Sequence, residues 1–185
     1  MVTKVGDLKP EYPVGTQIPF EVRVVKNFDA VGQYCAEDVM SDDICTTTSP
    51  AEYWIFGDMA KKNGGFGRIE EATLILDTEE KTPRIDLILF NAIPTGVLTD
   101  NLENTNPVKG DKAKWVGTIE FPATRSDNAA EASNTRVSPS TVGGLPLKYK
   151  CAVGSTTLYG ITVTRDDVTL TANDDCAITL KGDHL

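Results

Sequence analysis

His184 is the only histidine and the next-to-last residue of the 185-residue chain. A catalytic imidazole has to be held by a third group, and chain ends are usually poorly ordered. The sequence therefore predicts a frayed, solvent-exposed ring. Zinc is poorly served by one histidine and four cysteines, Cys35, Cys45, Cys151 and Cys176, that form no CxxC pair. These cysteines read as free thiols. A Cys35–Cys45 bridge stays open, because both lie in one polar, loop-like segment. Adjacent acids occur at Asp42/Asp43, Glu79/Glu80, Asp166/Asp167 and Asp174/Asp175. A glycosidase needs two carboxyl groups facing each other at about 5–9.5 Å, whereas adjacent acids point to opposite faces of a strand or meet water in a loop. Loose loop carboxylates could hold calcium, but no Asp-x-Asp-x-Asp-Gly spacing appears. Asn63-Gly64-Gly65-Phe66-Gly67 would cradle phosphate only ahead of a helix. A β-patterned segment follows it and the P-loop lysine is missing, so it reads as a tight turn. Trp54, Trp115, Tyr53, Tyr149 and Tyr159 could stack sugars, but aromatics are favoured in strands for packing alone, and the expectation is core. No catalytic, metal or cofactor residue is assigned.

The elements around these residues read almost entirely as strands. Phe20–Val24 alternates apolar and charged, the period of a half-buried strand. Tyr53–Phe56, Arg68–Asp77, Trp115–Phe121, Leu145–Cys151, Leu158–Thr164 and Cys176–Leu180 follow as strands, and Arg84–Phe90, apolar on both faces, reads as an interior one. Residues 1–19 form a polar arm broken by Pro10, Pro13 and Pro19. Residues 27–51 read as a long excursion with a helical turn around Ala36–Met40. The tract 122–144 reads as loop, as does the segment carrying Asp166 and Asp167. No stretch holds a capped 3.6-residue period. The expected architecture is all-β, a jelly-roll-like β-sandwich of about eight antiparallel strands with long loops. It comprises an arm over 1–19 and a single domain over 20–185.

Composition narrows the partners. The 27 acidic against 18 basic side chains leave a formal charge of −9, whereas nucleic-acid binders neutralise phosphates with Lys and Arg. The densest basic run, Lys109, Lys112 and Lys114, is interrupted by Asp111, so no direct nucleic-acid contact is expected. The start lacks the apolar core of a signal peptide. No apolar run approaches the ~18 residues of a membrane span, so no membrane partner is expected.

Several motifs recur in a recognisable order. Gly64-Gly65-Phe66-Gly67-Arg68-Ile69 precedes Ala72-Thr73-Leu74. Asp86-Leu87-Ile88-Leu89-Phe90-Asn91-Ala92-Ile93-Pro94-Thr95 and Thr99-Asp100-Asn101 come next. Trp115-Val116-Gly117-Thr118-Ile119-Glu120-Phe121 and Leu158-Tyr159-Gly160-Ile161-Thr162-Val163-Thr164-Arg165 complete the series. Together they resemble a family of tailed-bacteriophage virion structural proteins, typically encoded near the major capsid gene, over roughly residues 60–180. Tyr12-Pro13-Val14-Gly15-Thr16 resembles the family's N-terminal Tyr-x-x-Gly-Asp segment, with Thr where Asp is usual, and residues 27–51 do not fit the pattern. The resemblance implies a non-enzymatic head decoration or cement protein, trimeric and bound to the major capsid protein on the outer capsid surface after synthesis in the host cytoplasm. Its docking surface is expected in the arm, with Lys4, Lys9 and Tyr12 reaching the capsid. Two other classes stand beside it: a carbohydrate-binding or host-attachment fibre module, and a jelly-roll glycoside hydrolase, for which no persuasive carboxylate pair is visible.

Overall fold

The computed structural model describes residues 17–28, 32–41, 53–77, 81–96, 99–126, 132–139, 141, 143–170 and 174–185. Among them lie twelve strands: β1 (Ile18–Phe28), β2 (Gly32–Tyr34), β3 (Val39–Met40), β4 (Trp54–Phe56), β5 (Phe66–Leu76), β6 (Ile85–Phe90), β7 (Trp115–Phe121), β8 (Ser133–Val137), β9 (Leu147–Lys150), β10 (Leu158–Thr164), β11 (Val168–Leu170) and β12 (Asp174–His184). A first antiparallel sheet runs β1-β12-β5-β8, with β9 also on β5. A second runs β3-β10-β6-β7, with β4 also on β10, and β2 and β11 form a separate pair. Among the described residues the path runs from β1 in the first sheet to β3 and β4 in the second and returns at β5. It then places β6 and β7 in the second, β8 and β9 in the first, β10 in the second and β12 in the first.

Alternation explains which face each strand buries. Phe20, Val22 and Val24 of β1 turn toward the interior, while Glu21 and Arg23 between them are exposed. The inward side chains of both sheets form one core: Ile69, Leu74, Leu76, Ile178 and Leu180 from the first with Phe56, Leu87, Leu89, Ile119 and Phe121 from the second. Burying each such side chain contributes about 1.5–3 kcal/mol, which is what holds the sheets face to face. All six residues of β6 are buried. It lies between β10 and β7, so the interior-strand reading is borne out. Its outward Ile88 and Phe90 join Val39, Ile161 and Val163 in a second buried cluster.

Several boundaries differ from the sequence reading. Ile18 and Pro19, assigned to the arm, pair with His184 and Asp183 as the start of β1. Proline is tolerated there because β1 is the sheet's edge and needs no N–H on its outer side. Lys4, Lys9 and Tyr12 lie outside the described residues. No helical turn forms at 36–40. The Asp38 carboxylate accepts the Cys35 N–H at 2.7 Å, and Glu37 adopts φ 76°. Such local side-chain bonding competes with helix, and Val39–Met40 instead pairs with β10. The tract read as loop over 122–144 contains β8, and the Asp166–Asp167 segment leads directly into β11. Among the described residues no helix is long and apolar enough to cross a membrane.

A register shift interrupts β12 between Lys181 and Gly182, opposite β5. A Cβ on Gly182 would overlap the Arg68 carbonyl oxygen and press on the Ile69 Cα at 3.0 Å. Both are backbone atoms, so relief requires moving one strand off another. Gly182→Ala is expected to cost about 2 kcal/mol, in the range of overpacking. Urea unfolding would show it as a lower midpoint at unchanged slope; a loss under ~0.5 kcal/mol would mean the bulge re-registers freely.

Candidate functional site

The register sorts the strand ends into two groups. One end of the sandwich gathers Phe66, opposite Lys150, together with Phe90, opposite both Tyr159 and Trp115. Hydrogen bonds knit it together. The Asn91 side chain donates to the Lys150 carbonyl at 3.3 Å, while its backbone N–H donates to the Lys114 carbonyl at 2.9 Å. The Cys151 and Leu185 N–H groups donate to the Gly65 and Phe66 carbonyls. On this scaffold large apolar side chains face water: Phe66 is 52% exposed, Trp115 48% and Val153 95%, with Ile93 and Leu185 also exposed. The Lys150 ammonium lies 5.2 Å from the Phe66 ring centroid, an arrangement in which the ring quadrupole attracts the cation.

Lysines from separate segments meet here. Lys61 and Lys62 come from the turn before β5, Lys109, Lys112 and Lys114 from the segment before β7, and Lys150 from β9. The Asp111 that interrupts the middle group in sequence is fully buried. Its carboxylate accepts the Thr95 N–H at 2.6 Å, the Thr95 hydroxyl at 3.0 Å and the Lys114 ammonium at 2.7 Å. Burial acts to raise this carboxyl, but the Lys114 and Thr95 donors outweigh it and hold it below the usual carboxylate range. The end therefore shows solvent lysine and aromatic surface, with exposed Asp58 beside His184 as a carboxylate among them.

The opposite end is acidic. Asp77 follows β5 and donates its N–H to the Asp175 carbonyl at 2.9 Å. Its carboxyl is raised by partial burial and then by the negative charges of Asp175 and Asp174, against a smaller pull from Arg23. Asp166 binds Arg84 at 2.6 Å, and Asp167 accepts the Ala36 N–H at 2.8 Å. A groove of about 390 Å³ beside them is lined by Glu37, Arg84, Asp86, Glu120, Phe121, Pro122 and Arg165. Asp86 and Glu120 stand opposite each other across β6 and β7, a like-charge pair that is unfavourable alone. Arg165 offsets it by donating from Nε to Asp86 at 2.8 Å and pairing also with Glu37. Asp86 is thus committed to a guanidinium, and the arrangement is a charge-satisfied sheet surface.

A third polar node ties loop to strand. The Tyr34 hydroxyl donates to both Asp100 oxygens at 2.9 Å, and the Ser41 N–H donates to Asp100 at 2.8 Å. Burial first, and then the Asp100 charge, drive the tyrosine far above its ordinary range. It stays neutral and structural.

The singled-out residues fall as follows. His184 is not frayed: it sits in β12 opposite Ile18, stacks on Phe20 at 5.1 Å, and its Nε2 lies 3.0 Å from the Asp58 carbonyl. The strand pairing that the sequence reading ended at Leu180 continues to the chain's last residues, which is why the ring is held. Cys35, Cys151 and Cys176 are free thiols; burial pushes the Cys151 thiol up to about 11, so it is not poised as a nucleophile. Cys45 and the Asp42/Asp43 and Glu79/Glu80 pairs lie outside the described residues. Trp54 and Tyr149 are core as expected, whereas Trp115 is not. A register shift between Leu89 and Phe90 breaks the β6–β7 alternation next to Trp115. Among the described residues no group of three or more His, Cys, Asp or Glu side chains is placed to hold a metal. Period-two patterning gave no warning of the lysine cluster, because its members come from segments far apart in sequence.

No protein-family model matches this sequence, and no curated protein matches it.

Proposed function

We propose that this chain is a non-enzymatic structural protein of a tailed-phage particle, a decoration protein that binds and stabilises the major capsid lattice from outside. The observation that carries this reading is where the virion-like motifs fall. The Gly64–Gly67 turn, the Asn91–Thr95 strand end, the start of β7 and Leu158–Gly160 are distant in sequence yet meet at one end of the sandwich. Packing explains part of this: a Cβ on Gly67 would collide with the Tyr149 ring. Phe66, Ile93 and Trp115 within the same motifs face solvent, as side chains meant for another protein do.

We assign the topology of a jelly roll, which the strand order of the two sheets supports when β3 with β4 and β8 with β9 each count as one segment. Such a sandwich gives a decoration protein rigid faces and two loop-bearing ends. A protein that binds only the mature shell stabilises it by mass action, and symmetry repeats each contact over many copies. In this reading the arm, with Lys4, Lys9 and Tyr12, reaches the capsid, and the chain assembles on the outer surface of heads made in the host cytoplasm.

Purified chain mixed with expanded shells of the phage that encodes it is expected to sediment with them, and a chain lacking residues 1–16 to remain in the supernatant. Failure of the full chain to sediment with expanded shells overturns the proposal.

The exposed Trp115 favours one alternative, a carbohydrate-binding or host-attachment module, since an indole face at the surface can stack on a sugar ring. Glycan-array binding abolished by Trp115→Ala would establish that reading in place of the first.

A further inference from the structure

We propose that the end carrying Phe66 and Trp115 docks on the acidic end of a second copy of this chain, joining copies head to tail. The inference stands apart from the virion reading, since it concerns what the two ends recognise in each other.

The ends are complementary in both sign and character. One presents Lys62, Lys150 and Lys112 around half-exposed Phe66 and Trp115, with Asp111 withdrawn into the protein. The other presents Asp77, Asp167 and half-buried Asp175, beside an Arg84 whose guanidinium is held by Asp166. Partial burial first, and then the charges of Asp175 and Asp174, raise the Asp77 carboxyl above its usual range. A carboxylate crowded by like charges is relieved by an incoming cation, and lysines on a neighbouring copy supply it. An apolar centre ringed by lysine is the layout of a protein interface, where aromatics bury at the middle and charge at the rim sets orientation and partner. A chain of net charge −9 repels its own copies in most orientations, and end-to-end contact is the arrangement that puts opposite charges together.

The two surfaces are different patches, so the contact is heterologous: it closes into a ring if the rotation permits and otherwise grows. This gives an asymmetric test. Lys150→Glu removes the basic end and leaves the acidic one; Asp77→Lys does the reverse. Both side chains are exposed, and circular dichroism melts would confirm folding, with Lys62→Glu as the second basic-end variant. Sedimentation velocity of the full chain at about 0.05 M salt should show self-association that is lost near 0.5 M, where screening is short-ranged. Each variant alone should be monomeric, with association weakened about tenfold or more. Their equimolar mixture should associate again, because one native pair of ends survives and the two reversed ends are opposite in charge. Trp115→Ala should weaken association without changing its salt dependence.

Wild-type protein that stays monomeric at low salt overturns the inference, as does a mixture that stays monomeric or variants that associate like wild type. Binding of a single-stranded oligonucleotide by monomeric wild type, lost in Lys150→Glu, would assign the end to nucleic acid instead. A self-associating chain that ignores phage shells would sink only the virion reading, and a monomer that binds shells would sink only this one.

Discussion

Trp54→Ala is expected to lower folding stability by about 4 kcal/mol, in the range for truncating a buried aromatic. Trp54 is 1% exposed in β4, with its ring 6.2 Å from that of Phe56. Its Nε1 donates to the Thr162 hydroxyl at 3.0 Å, and that hydroxyl donates in turn to the Met40 carbonyl at 2.6 Å. β3 and β4 both pair with β10, so one side chain ties the three strands on that side of the second sheet. Alanine leaves a cavity where β4 closes over the core. Against a total stability of about 5–15 kcal/mol, the loss should be visible as a large fall in the unfolding midpoint. Trp54→Phe keeps most of the volume and leaves Thr162 its bond to Met40, so about 1–2 kcal/mol is expected. Equal losses for the two substitutions would mean that the hydrogen-bond chain, and not the packing, anchors β4.

Asp111→Ala should cost about 3 kcal/mol, because it strands the Thr95 donors without their acceptor and leaves the half-buried Lys114 ammonium only the Ile93 carbonyl. These bonds close the long connection between β6 and β7, so the damage should concentrate at the lysine-rich end. The sign of the pH dependence follows from the lowered Asp111 carboxyl. Its contribution is fully present above the unfolded carboxyl's pKa near 3.9 and is lost as pH falls through the lower folded value. Wild type should therefore lose stability on acidification below about pH 4, and Asp111→Ala should lose less over that window. Parallel profiles for the two proteins would contradict this role.

Much of the sandwich could be read from alternation, and the failures have physical causes. β6 was unmistakable because Ile85, Leu87 and Leu89 fill one face while Ile88 and Phe90 fill the other. β8 escaped notice because the inward positions of Ser133-Asn134-Thr135-Arg136-Val137 are Ser133, Thr135 and Val137; two polar residues face in, so hydropathy shows no alternation. β11 is three residues long and was hidden by the acids before it. The reading of Ala36–Met40 as helical failed on one carboxylate, Asp38, which holds the turn at Cys35. His184 reads as frayed from its nearness to a terminus, whereas pairing along β12 with both β1 and β5 holds it.

The candidate surface was least visible of all. No window of sequence contains Lys62, Lys112 and Lys150 together, and Asp111 looked like an interruption of the basic run until burial removed it from the surface. Trp115 sits where strand alternation predicts an ordinary packed residue, and only the register shift beside it distinguishes the position. The fold makes this surface by bringing four separate strand ends to one place, which composition cannot report.

The most direct measurement of the proposed role is cryo-electron microscopy of phage particles assembled in the presence of this chain. The account predicts symmetric copies of a two-sheet sandwich on the outer shell, with Phe66 and Trp115 buried against protein. Particles whose shells carry no such density, or copies whose Phe66 and Trp115 face open solvent at every position, would contradict it.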